Sequence, residues 1–131
     1  MIRWLVASLL VVAAASAGAD PHADYLLYCR GCHLHTGEAV PNANVPSLQE
    51  LAPLLKSKEG REYIVRVPGV SQTPMSDERL AAVLNWVVAN FNPEIDADGF
   101  QPYTSAEVGK ARQKVMIDPL LTRAEILARS Q

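Results

Sequence analysis

Both cysteines of the chain fall in Cys29-Arg30-Gly31-Cys32-His33. Two thiols three positions apart, with a histidine directly after the second, read C-x-x-C-H, the attachment sequence of a c-type haem. The spacing suits the chemistry. On a helical turn, side chains at i and i+3 project from one side, so Cys29 and Cys32 reach two neighbouring vinyl groups on one porphyrin edge. His33 is then led under the ring, where an imidazole nitrogen meets the iron. The same thiols have plainer uses. In an oxidising compartment they close a disulfide, and CxxC is also the working pair of thiol–disulfide exchange proteins.

A low-spin haem iron takes a sixth ligand, usually methionine or histidine. The candidates are Met75, Met116, His22 and His35. Met75 stands in Pro74-Met75-Ser76, directly before a capped amphipathic run, and a loop ahead of a rigid helix can hold a thioether over the open face of the ring. His35 is two residues past His33 and starts on the wrong side of the ring. His22 belongs to the helix leading into the motif, and Met116 reads as packing.

The elements that must position these residues read as helices throughout. Asp20-Pro21 is an N-cap followed by proline at the first helical position, opening a helix over 21–30. Residues 34–48 hold Gly37, Pro41 and Pro46 and read as an irregular loop. Ser47 caps a short helix through Leu55. A helix over 59–67 is stopped by Pro68-Gly69. Ser76, with Asp77 and Glu78 in the first turn where the helix dipole favours acids, opens the strongest amphipathic run. There Leu80, Val83, Leu84, Val87 and Phe91 recur at three- and four-residue steps. Two capping boxes, Thr104-x-x-Glu107 and Thr122-x-x-Glu125, predict short helices at 105–115 and 123–129, with Asp118-Pro119 between them. No run reads as a strand, so the class is all-α.

The chain begins Met1-Ile2-Arg3 and is then uncharged from Trp4 to Ala19, ending in Ala17-Gly18-Ala19. That is the pattern of a secretory signal peptide, cleaved after Ala19 or Ala17. The run is shorter and more diluted by small residues than the roughly 20 apolar residues of a spanning helix. The expected organisation is a signal peptide at 1–19, a haem domain at 20–92 and a C-terminal extension at 93–131. The expected location is the periplasm, with no stable membrane span after cleavage. A formal net charge of −2 becomes one unit more negative when Arg3 is lost. No basic patch for nucleic acid and no polybasic membrane segment stands out.

Over residues 20–92 the chain resembles a small bacterial class I cytochrome c. The resemblance rests on a helix into Cys29-Arg30-Gly31-Cys32-His33, a loop with Gly37, then Pro46-Ser47-Leu48, and Pro74-Met75-Ser76-Asp77-Glu78 into a closing helix with Trp86. It implies one covalent haem c, crossed helices near 21–30 and 77–91, and His33 and Met75 as axial ligands. It also implies that the Pro46 carbonyl accepts a hydrogen bond from the far nitrogen of His33. A six-coordinate iron has no place for substrate, so the implied role is electron carrier rather than enzyme. Its implied partners are redox proteins: a periplasmic dehydrogenase as donor, and an oxidase or another cytochrome as acceptor. The extension departs from a minimal member. Its capped helices either wrap the domain or dock a partner, and on the docking reading truncation after Asn92 leaves the haem spectrum intact. Two other functions stay open: an exported thiol–disulfide or copper-handling protein using the CxxC pair, and a catalytic haem with Met75 off the iron.

Overall fold

The computed structural model describes residues 18–95 and 99–130. The expected signal peptide lies outside the described residues except for its last two. Among the described residues there are eight helices and no strand: α1 (Pro21–Tyr28), α2 (Arg30–His33), α3 (Ala52–Leu55), α4 (Lys58–Arg66), α5 (Pro68–Ser71), α6 (Asp77–Phe91), α7 (Ser105–Arg112) and α8 (Pro119–Arg129). None is long and apolar enough to cross a membrane.

Local chemistry explains most of the boundaries. The Asp20 carboxylate accepts from the His22 N–H at 3.0 Å, with Pro21 at the first position of α1. Ser76 accepts from the Arg79 N–H at the start of α6, and Thr104 accepts from the Glu107 N–H at the start of α7. Three expectations change. Pro68-Gly69 does end α4, yet proline also opens a helix comfortably, and one further turn, α5, follows directly. Ser47 accepts from the Gln49 N–H as a turn, and α3 begins only at Ala52. Finally, α8 starts four residues earlier than expected. Its cap is Asp118, which accepts from the Leu121 N–H, while the Thr122 hydroxyl donates to the Asp118 carbonyl. Asp118-Pro119 is thus the same start signal as Asp20-Pro21.

Helix α1 packs on α6. Arg79 of α6 donates through Nε and Nη2 to both oxygens of the buried Asp24 of α1, at 3.1 and 2.5 Å. Tyr25, Trp86 and Phe91 pack as an aromatic trio with centroids 5.2–5.3 Å apart, and His22 stacks on Trp86 at 5.0 Å. Buried Asn92, just past α6, accepts from the Leu51 N–H at 2.9 Å and donates to the Leu48 carbonyl at 2.8 Å. Those two bonds join the end of α6 to the loop before α3.

The segment after Asn92 is built into the same core. Helix α7 packs on α4 and α6, and α8 packs on α3 and α4. Tyr103, Val108, Ala111, Met116 and Ile126 are all buried. Asn85 of α6 exchanges two hydrogen bonds with the Tyr103 backbone, at 3.0 and 2.7 Å. Arg61 of α4 makes a bidentate pair with Glu107, 2.9 Å on each side, and its guanidinium lies 4.2 Å from the centre of the Tyr103 ring. Of the two expectations for the extension, wrapping is the one that matches this packing.

Candidate haem-binding site

An apolar cavity, open on one side, lies between these helices. Cys29 and His33 line it from the motif, Pro46 and Leu48 from the loop, Ile64 and Val67 from α4 and its end, and Leu80, Leu84 and Val87 from α6. The extension contributes Tyr103 and Arg123. Among the described residues, Arg123 is the one arginine or lysine in this wall.

The motif is positioned by its immediate neighbours. The C-terminal end of α1 runs into α2 through Cys29, whose carbonyl accepts from the backbone N–H of both Cys32 and His33 at 3.1 Å. Fully buried Tyr25 reaches forward from α1, its hydroxyl 3.0 Å from the His33 carbonyl and 2.6 Å from that of Leu34. This is a three-centre bond. It pins the chain where Leu34 turns through a left-handed φ of 47°, a conformation a non-glycine residue adopts only when its surroundings hold it. The loop then returns: Val40 N–H donates to the Cys32 carbonyl at 3.0 Å, and Leu48 N–H to that of Gly37 at 2.8 Å. Gly37 has a φ of +82°, and a Cβ there would meet the Phe91 ring at 2.7 Å. Only glycine serves both conditions.

The donor set fits a haem. His33 Nδ1 is buried with no hydrogen-bond partner, a costly condition for a polar atom. Burial also lowers the His33 pKa, which favours the neutral imidazole that binds metals. The Cys29 thiol is pushed up to about 11, chiefly by burial, then by the charges of Asp24 and Cys32. Exchange-active CxxC pairs need the opposite, a thiol lowered by positive surroundings, so the thiol–disulfide reading loses ground. Among the described residues no three of His, Cys, Asp and Glu gather where they could hold a metal ion.

The expected site residues are partly assembled. Cys29, His33 and Pro46 share the cavity wall, while Cys32 is exposed. No hydrogen bond joins His33 Nδ1 to Pro46. Met75 is buried in the core, 3% exposed. It is Thr73, two residues earlier on the same loop, that lines the cavity. His22, His35 and Met116 do not line it. The contributions of Tyr103 and Arg123 were missed. Read as a helix start, Asp118-Pro119 would have placed Arg123 inside α8 rather than at its first turn. No local signal marks Tyr103.

A chain whose described residues form helices and no strand, and which brings Cys29 and His33 of C-x-x-C-H to the wall of an apolar cavity, points to a class: c-type cytochromes with a single covalently bound haem. No protein-family profile matches the chain. It is similar to a cytochrome c-552 of Thermus thermophilus, with 34% identity over 146 aligned positions covering 98% of this chain and 95% of the relative. A second cytochrome c-552 of that organism is 32% identical over 118 positions, covering 76% of this chain and 86% of the relative. The chain belongs to the small monohaem class I cytochromes c, and it is an electron carrier rather than an enzyme. The first likeness spans nearly the whole chain, so the extension is not peculiar to this protein.

Proposed function

We propose that this cytochrome holds its haem iron between His33 and Met75, tethered through Cys29 and Cys32, and moves single electrons between redox proteins in the periplasm. The observation that carries the reading is the half-buried His33, with a buried and unpartnered ring nitrogen, in the wall of an apolar cavity that Cys29 shares. When bound, the haem supplies a one-electron iron couple whose potential a thioether ligand raises. Cys29 and Cys32 supply the thioethers. Pro46 lies in the same wall as His33, and its carbonyl is the acceptor proposed for the free ring N–H, which would set the tautomer and aim of the imidazole. The apolar wall excludes water and disfavours the extra positive charge of the ferric state. Arg123 is the cation available to the acidic edge of a porphyrin.

The packing of α1 on α6 supports the crossed-helix arrangement of the family. In the proposed organisation residues 20–92 form the haem domain and 93–131 are a C-terminal extension packed into its core. The uncharged stretch after Arg3 supports export. The proposed donor is a periplasmic dehydrogenase, and the proposed acceptor an oxidase or another cytochrome.

Absorption of the oxidised holoprotein tests the ligand pair. Methionine-ligated ferric haem has a weak far-red sulfur-to-iron band. That band should be present in the parent and absent from Met75→Ala, with a lower reduction potential in the variant. A parent and variant with the same spectrum and potential remove Met75 from the iron.

A further inference from the structure

The loop that carries Met75 is gripped by one side chain from far along the chain. Arg112, the last residue of α7, donates through Nε to the Ser71 carbonyl at 3.0 Å, through Nη2 to that of Thr73 at 2.6 Å, and through Nη1 to that of Met75 at 2.8 Å. Nη1 also meets the Asp77 carboxylate at 2.9 Å. Four acceptors on alternate residues, 71, 73, 75 and 77, thus converge on one guanidinium. They lie 35 to 41 positions away in sequence, and the Arg112 side chain is only 17% exposed. The approach is close. A Cβ on Gly109, one turn earlier in α7, would come within 2.4 Å of an Asp77 carboxylate oxygen.

We infer that Arg112 is the positioning residue for the distal ligand: it fixes the backbone from which the Met75 sulfur reaches the iron. The inference rests on Met75 being that ligand. Methionine is unbranched and adaptable, so its own rotamers do little to hold the sulfur in place. Rigidity has to come from the backbone. The loop supplies little itself: Thr73 N–H and its hydroxyl both turn back to the Val70 carbonyl. A guanidinium has five donors in a fixed planar fork, which an ammonium cannot reproduce. With Arg112 in place, breaking the iron–sulfur contact by moving the loop breaks charge-assisted hydrogen bonds as well.

Cyanide binding to the oxidised holoprotein reads this directly, because cyanide reaches the iron only after the sulfur leaves. At saturating cyanide the rate reports loop opening. Arg112→Met should bind cyanide about tenfold faster or more, as expected for an opening step relieved of a charge-assisted bond. Arg112→Lys should fall between it and the parent. Arg66→Met is the control. Arg66 ties α4 to the Lys114 and Val115 carbonyls at 3.1 and 2.8 Å, on the extension, and makes no bond to the 71–77 loop. Its rate should stay within about twofold of the parent.

Arg112→Met no faster than the parent, or Arg66→Met as fast as Arg112→Met, overturns the inference. If Arg112→Met fails to assemble, Arg112→Lys decides alone, and a parental rate overturns it. Met75→Ala keeps the two readings apart. Persistence of the far-red band in that variant removes the ligand itself. Its loss there, with a parental cyanide rate in Arg112→Met, removes only the clamp.

Discussion

The two proposed axial sides of the haem site, His33 and Met75, are held by different means. On the histidine side, contacts are short in sequence: the Tyr25 hydroxyl reaches carbonyls eight and nine residues ahead, and the Cys29 carbonyl takes the N–H groups of Cys32 and His33. On the methionine side, Arg112 reaches back 35 residues or more to hold a loop with few bonds of its own. Short-range anchoring lets the motif present its thiols and imidazole as soon as α1 and α2 form. Long-range anchoring makes the distal side depend on the whole chain having folded. Ligand exchange should therefore begin on the methionine side.

The comparison can be broken most severely at the thiols. Cys29→Ala with Cys32→Ala removes both tethers, and the apolar cavity would be left without its covalent filling in a domain with a small core. Circular dichroism should show little folded protein. A highly helical, cooperatively unfolding double variant would mean that the helices do not need the haem.

Truncation after Asn92 is next in size. It strips Tyr103, Val108, Ala111 and Ile126 from the core and takes Arg112 from the methionine loop. The truncated chain should lose cooperative unfolding and its far-red band together. A parental spectrum in the truncated protein would restore the extension to a docking role and dissolve the contrast between the two sides.

Smaller changes sharpen the contrast. Asn92→Ala leaves the Leu48 carbonyl and the Leu51 N–H without their side-chain partner, and should cost about 2–3 kcal/mol in denaturant unfolding. A loss below about 0.5 kcal/mol would mean that water or a neighbour replaces the amide. Tyr25→Phe removes one shared donor on the histidine side. It should cost about 1–2 kcal/mol and leave the cyanide rate near parental, since the loop around Met75 is untouched. An acceleration matching Arg112→Met would show that the two sides open as one.

The same contrast explains how much was legible in the sequence. The C-x-x-C-H motif, the Asp20-Pro21 start of α1 and the Ser76 cap of α6 are local signals, and α6 runs over Asp77–Phe91 as its periodicity predicts. The start of α8 was equally local but was hidden by a competing capping box at Thr122, which the Asp118 carboxylate outcompetes. The single turn of α5 is too short to carry a periodic pattern. The arginines were not legible at all. Arg61, Arg112 and Arg123 look like solvated charges in a helical sequence. Their partners are a carboxylate, main-chain carbonyls and a cavity wall supplied from distant segments, and no spacing rule encodes those. The sequence left wrapping and docking both open for the extension because its buried residues, Tyr103, Val108, Ala111 and Ile126, are too spread out to form an obvious stripe.

The central claim is that a porphyrin is bonded covalently to Cys29 and Cys32. Mass spectrometry of the chain, purified under denaturing conditions from a host with cytochrome c maturation, tests it most directly. The account predicts a mass increased by one haem, with neither cysteine open to thiol alkylation. A chain at its bare polypeptide mass with two alkylatable thiols would contradict it.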